Sequence, residues 1–210
     1  MSYRPRRVRS SGFVILTACA LAQGCASAPA ARCADPSDVT CELDPTWQRK
    51  VAEPTAMSVI SARGTSEPLP RTVTFGSAAA GKTALYLRFP ELGVPEKSIE
   101  RAYLRLEPET QGAFDIEPVE VEVWRVKSDW QSGSFDWGSQ PPLGPPRAEG
   151  KALGRKPLRI DVTDLVREAE KHPERSHGIA VLASAGDGNG VSFATGLGGQ
   201  WLPRLEVYLR

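Results

Sequence analysis

The 210-residue chain carries 26 lysines and arginines against 25 aspartates and glutamates, a formal net charge of +1. That balance argues against a nucleic-acid partner, which calls for a basic excess to neutralise phosphates. An apolar fraction of 40% supplies a core and rules out global disorder, while 19 glycines and 18 prolines favour short strands and many turns over long helices.

The chain opens with Arg4, Arg6, Arg7 and Arg9, followed by an apolar run over residues 13–22. The run is shorter than the ~20 apolar residues that span a bilayer. With its basic flank and small residues it reads as a secretory signal over residues 1–24. It ends in Leu21-Ala22-Gln23-Gly24-Cys25, which resembles a bacterial lipobox, with Ala22 where that motif usually has a larger aliphatic residue. The resemblance implies that the Cys25 thiol accepts a diacylglycerol and becomes the first residue of the mature protein. Two alternatives stay open. Leu16-Thr17-Ala18-Cys19 fits the motif better but has only a stub of apolar sequence before it, and a plain signal would be cleaved near residues 27–30. Lipidation at Cys25 makes the membrane a partner and places the protein at the cell envelope. Ala26, in place of an aspartate, points to the outer membrane by the sorting rule of enteric bacterial lipoproteins.

Residues 25–54 are rich in Ala, Pro, Ser and Asp with little apolar periodicity, the composition of a tether. Trp47 is the one residue there able to dock on a domain. Within the tether, Cys33 and Cys41 form an even pair in an oxidising compartment and are expected to close a small disulfide loop. A metal pair is the weaker alternative, because the spacing is not that of a zinc site and neither histidine is near in sequence.

Alternation then takes over, with a sandwich domain expected over residues 55–210. Runs at 57–63, 71–75, 83–89, 99–107, 119–126, 158–162, 178–182, 191–194 and 204–209 read as strands bounded by Gly and Pro. Leu85, Leu87 and Phe89 fall on one face and Ala84, Tyr86 and Arg88 on the other. Ala102, Leu104 and Leu106 likewise oppose Tyr103 and Arg105, and Val119, Val121 and Val123 oppose Glu120, Glu122 and Trp124. About nine half-buried strands predict an all-β fold, an antiparallel two-sheet β-sandwich of jelly-roll type. One short helix is expected over residues 164–171, capped by Thr163 and stopped by Pro173.

Seven segments, in serial order, carry a family resemblance. They are Leu85-Tyr-Leu-Arg-Phe89, Ile99-Glu-Arg-Ala-Tyr-Leu-Arg-Leu106, Val123-Trp-Arg-Val-Lys-Ser-Asp-Trp130, Phe135-Asp-Trp-Gly-Ser-Gln-Pro141, Ile160-Asp-Val-Thr-Asp-Leu-Val166, His177-Gly-Ile-Ala-Val181 and Pro203-Arg-Leu-Glu-Val-Tyr208. Over residues 57–210 the chain resembles a DNRLRE domain, a class overlapping TGF-β-propeptide-like sandwiches and alginate-type carbohydrate-binding modules. It departs from that pattern at Gly138, where an Asn is usual, and lacks the acidic residue common before the last strand. The resemblance implies an extracellular binding or adhesion module without catalysis of its own, and Trp130 and Trp137 that close one end of the sandwich.

Catalysis needs a positioned acid, base or nucleophile. The two histidines, His172 at a helix end and His177 at a strand start, stand in no Ser- or Cys-containing motif, so no catalytic residue and no cofactor is assigned. Asp187-Gly-Asn-Gly190 is the one metal-like string; Asn-Gly between strands is also a strong hairpin-turn signal, and the turn is preferred to calcium over residues 187–189. For ligand binding, Tyr86, Arg88, Tyr103, Arg105 and Trp124 would share an outer face if their strands lie in one sheet. Rings stack on sugars and guanidinium groups pair with uronate carboxylates, so the expected ligand is an acidic polysaccharide. The alternatives are that a loop covers this face and the aromatics only pack, or that the protein is structural or adhesive, engaging protein partners with no glycan.

Overall fold

A computed structural model of the chain describes residues 47–64, 69–110, 114–115, 117–196 and 201–210. The described chain is an all-β fold with one helix. In order the elements are β1 (Gln48–Ala52), β2 (Ala56–Ser61), β3 (Thr72–Phe75), β4 (Thr83–Arg88), β5 (Ile99–Leu106), β6 (Val119–Val126), β7 (Leu143–Ala152), β8 (Leu158–Asp161), α1 (Thr163–Lys171), β9 (Ile179–Ala183), β10 (Val191–Ala194) and β11 (Arg204–Leu209). Every strand expected from alternation is present, and all pairings are antiparallel.

Two sheets make the sandwich. One has the order β1-β11-β5-β8 and the other β2-β4-β9-β6-β7, with β10 and β3 forming a separate two-stranded ladder. That ladder is joined to the chain beyond β5, where the Ala194 and Glu109 N–H groups donate to the carbonyls of Glu107 and Ser192. The period-2 pattern decides what lies between the sheets. Leu85, Leu87, Val121, Val123 and Val181 from one sheet meet Leu104, Leu106, Ile160 and Val207 from the other in a single apolar cluster. Gly150 of β7 sits where a Cβ would come within 2.6 Å of the Ile160 side chain, so the two sheets approach closely where β7 passes β8.

The helix runs on directly from β8, and its cap differs from expectation. Val162, not Thr163, is the residue before the first turn, and Thr163 is the first helical residue. The Thr163 hydroxyl instead accepts the Ala102 N–H at 2.9 Å and donates to Asp161, whose carboxylate also takes the Thr163 N–H. This fastens the helix start to β5. Farther along, Arg167 donates to the Ile99 carbonyl and Glu170 accepts the Leu92 and Val94 N–H groups.

Three other expectations are corrected. Strand β1 lies inside the stretch read as tether over residues 25–54, and Trp47 docks its ring 6.5 Å from that of Tyr208. Trp130 and Trp137 do not close an end of the sandwich; they lie with Phe135 over the outer side of the five-stranded sheet, against Ile60, Ala84, Tyr86 and Ala180. The 187–190 string is no hairpin turn, because β9 and β10 pair with other strands. Asp115 holds that string by accepting the Asn189 and Gly190 N–H groups at 3.1 and 2.6 Å. Gly190 has φ +78°, and a Cβ there would fall 2.3 Å from the Phe75 carbonyl oxygen, which only glycine permits.

Candidate functional site

The five residues expected to share one face are divided between two sheets. Tyr86 and Arg88 end β4 and Trp124 belongs to β6, in the five-stranded sheet, whereas Tyr103 and Arg105 lie on β5 in the other. Tyr86 is fully buried under Trp130 and Phe135, with ring centroids 5.9 and 4.8 Å away, and its hydroxyl donates to Gln140 at 3.0 Å. Arg88 stacks on Trp130 at 5.0 Å and pairs with Asp129. Here the loop over residues 127–142 has covered the sheet and the aromatics pack. Its hydrogen bonds hold two carboxyls below the usual range: Asp129 by the Trp130 N–H and then Arg88, and Asp136 by the Ser139 hydroxyl and then the N–H groups of Ser139 and Gly138.

Trp124 keeps a half-buried ring at the edge of that cover. Its indole N–H donates to Glu122 at 2.9 Å, and Arg147 of β7 lies 5.2 Å from its centroid. The outward residues beside it are Glu120, Glu122, Glu149, Arg147 and Lys151, linked by ion pairs across β6 and β7 and, between Arg147 and Glu149, along β7. Three acids against two bases leave this strip slightly negative, a poor match to a polyanion.

The outer face of the four-stranded sheet has the opposite character. Register places Arg49 of β1 beside Tyr208 of β11, Glu206 beside Tyr103 of β5, Arg204 beside Arg105, and Arg105 beside Arg159 of β8. Arg101 completes the outward row of β5. Tyr103 and Tyr208 meet edge to face at 6.1 Å as a buried floor, and the Arg159 guanidinium lies 3.2 Å from the Tyr103 ring centroid. Above them two carboxylates are shared among three guanidiniums. Glu206 is 2.6 Å from Arg49, 3.8 Å from Arg105 and 3.9 Å from Arg204, while Glu107 is 2.7 Å from Arg105 and 2.6 Å from Arg204. Arg101 faces Asp161 at 3.6 Å. Five arginines thus share this face with Glu107, Asp161 and Glu206. At the margin Trp201 is 66% exposed, with Arg204 5.6 Å from its ring centroid.

The structure therefore brings Tyr103 and Arg105 together with residues that the sequence reading missed: Arg49, Arg101, Arg159, Arg204, Trp201 and Tyr208. The parity of Arg101 and Arg204 along their strands was a usable signal. The adjacency of β5 to β11 and β8 was not, because those strands are far apart in the chain.

Cys19, Cys25, Cys33 and Cys41 lie outside the described residues. Among the described residues, no group of three or more His, Cys, Asp or Glu side chains is placed to hold a metal ion, and no helix is long and apolar enough to cross a membrane. No family model matches the chain, and no curated protein does.

Proposed function

We propose that the protein is a non-catalytic lipoprotein of the cell envelope, anchored through Cys25 in the outer membrane, whose sandwich binds an acidic polysaccharide on the outer face of the four-stranded sheet. The observation that carries this reading is the row of five arginines around the Tyr103–Tyr208 pair, in a chain whose total charge is only +1. Guanidinium groups pair bidentately with carboxylates. Glu107 and Glu206 hold the three guanidiniums of Arg49, Arg105 and Arg204 in fixed positions, which lowers the ordering cost when a polyuronate arrives. The exposed Trp201 ring at the margin offers a surface for a sugar face. The resemblance to DNRLRE domains supports the same class of ligand, and a disulfide between Cys33 and Cys41 would stiffen the tether below the domain.

Affinity electrophoresis of the full-length protein tests the ligand. Migration should be retarded in gels containing a polyuronate such as alginate, unchanged with a neutral glucan, and less retarded as salt rises, since exposed charge pairs are screened beyond ~8 Å at physiological ionic strength. Equal mobility with and without polyuronate at low salt overturns the reading. The anchor is tested separately: Cys25→Ala should move the protein from the membrane to the soluble fraction, and retention there would assign the lipid to Cys19.

A further inference from the structure

The string Asp187-Gly-Asn-Gly190 holds the single asparagine of the chain, and a glycine follows it. That pair carries chemistry of its own. The backbone nitrogen after an asparagine can attack the side-chain carboxamide carbon, and a glycine there leaves the approach unhindered because it has no Cβ. Asn189 is exposed, so water reaches its carboxamide. The attacking nitrogen, however, is held back. Gly190 is buried, and its N–H donates to Asp115 Oδ2 at 2.6 Å, while the Asn189 N–H donates to Oδ1 of the same carboxylate at 3.1 Å. Two consecutive N–H groups thus grip one anion. The backbone around them is packed as well: a Cβ at Gly190 would fall 2.8 Å from the Ser77 nitrogen, and one at Gly188 2.5 Å from Asp115 Oδ2. The Gly188 carbonyl accepts the Ala78 N–H at 2.9 Å. For ring closure Gly190 must leave Asp115, turn toward the Asn189 side chain and lose its proton beside a carboxylate, whose negative charge disfavours the amide anion.

We propose that Asn189 is a modification site, open to deamidation, and that Asp115 keeps it closed in the folded chain. In the reaction the Gly190 nitrogen gives its proton to hydroxide and bonds to the Asn189 side-chain carbon. The carboxamide nitrogen leaves as ammonia, taking a proton from water. Water then opens the five-membered succinimide at either carbonyl, giving aspartate or isoaspartate, so that one water enters and one ammonia departs. Each product sets a new carboxylate in the string that Asp115 holds, where like charges repel, and isoaspartate also lengthens the backbone. Modification therefore releases the string from Asp115. The site shares no residue with the arginine face of the four-stranded sheet and stands or falls apart from polysaccharide binding.

The test is incubation of the full-length protein at mildly alkaline pH, with conversion at residue 189 followed by peptide mass spectrometry. The folded chain should convert at least about tenfold more slowly than the same chain unfolded in guanidinium chloride, because the charge-assisted hydrogen bonds to Asp115 must first break. Asp115→Ala should raise the folded rate by about the same factor. Val59→Ala, a core change in β2, should lower the melting temperature and leave the rate slow, which separates the Asp115 contact from general loosening. Amide hydrogen exchange of the unaltered protein should show Gly190 protected, a reading that holds even if Asp115→Ala does not fold. Equal rates in the folded and unfolded chain, a folded Asp115→Ala protein as slow as wild type, acceleration by Val59→Ala equal to that by Asp115→Ala, or an unprotected Gly190 amide each overturns the proposal.

Discussion

The rings of Tyr86 and Trp130 meet edge to face with centroids 5.9 Å apart on the side of the five-stranded sheet that alternation assigns to solvent. Trp130 also donates its indole N–H to the His177 carbonyl at 2.7 Å, fixing the loop to the start of β9. The contact turns a wet sheet face into a second apolar cluster. Trp130→Ala should therefore cost about 3–5 kcal/mol in denaturant unfolding, the range for truncating a buried aromatic. Trp201→Ala, at an exposed ring, should stay within about 0.5 kcal/mol of wild type.

Burial pushes the Tyr86 phenol up to about 12 from its ordinary 10.0. Because the folded value lies above the unfolded one, the contribution of neutral Tyr86 is complete below pH 10 and is lost as pH rises through about 12. Unfolding curves of wild type and Tyr86→Phe should run parallel at neutral pH and converge between those limits. Ultraviolet titration in which the absorbance change lost in Tyr86→Phe falls at the ordinary 10.0 would contradict its burial.

Strand β1 predicts a truncation boundary. A chain starting at residue 47 keeps the ladder from Gln48–Leu209 to Ala52–Leu205 and the Arg49–Glu206 pair. A chain starting at residue 55 exposes the edge of β11, whose inward residues are apolar, and leaves the buried Glu206 with only its longer contacts to Arg105 and Arg204. The shorter chain should melt lower and aggregate more readily, as an uncovered edge strand does. Light scattering during thermal unfolding reads both effects.

Between the sheets, Val121 is buried among apolar side chains. Val121→Asp should unfold the domain or lower its stability by several kcal/mol, since an unpaired carboxylate has no partner there. Its neighbour Glu120, outward and paired with the exposed Lys151, should tolerate alanine with a loss under about 1 kcal/mol. Circular dichroism melts of the two variants make the comparison.

The two outer faces separate in binding. Arg101→Ala and Arg49→Ala should each weaken polyuronate binding and flatten its dependence on salt, whereas Trp124→Ala should leave it unchanged, because Trp124 lies on the slightly negative strip of β6 and β7. The opposite ranking in alginate affinity gels would move the site to Trp124.

Alternation along single strands was legible in the sequence and gave the sandwich and its core, while the early acids and Pro173 marked the helix. Two strands were not legible, for local reasons. Gln48–Ala52 is an edge strand with four exposed residues, so nothing in it alternates, and Leu143–Ala152 contains Gly144, Pro145, Pro146 and Gly150, which read as loop. Tyr86, Arg88 and Trp124 were placed on the correct side of their strands, yet their neighbours were not readable. The covering loop with Trp130 and Phe135 arrives from elsewhere in the chain, and β9, not β5, separates β4 from β6. Tyr103 and Arg105 kept their outward positions and found arginine neighbours only through pairing with β8 and β11.

The four sheet margins bear on how densely such molecules can stand side by side. In β7 the Pro145 and Pro146 nitrogens carry no hydrogen, so another chain cannot zip along its whole length, and Arg147, Glu149 and Lys151 add charge. On β1, Gln48, Arg49 and Lys50 are exposed, and β8 is only four residues long. The margin at β2 is partly occupied by Ser132, whose hydroxyl donates to the Met57 carbonyl. A film of these domains at high surface density therefore meets polar, interrupted or short edges at these four strands, and its members can crowd together along them without knitting into a continuous cross-strand lattice.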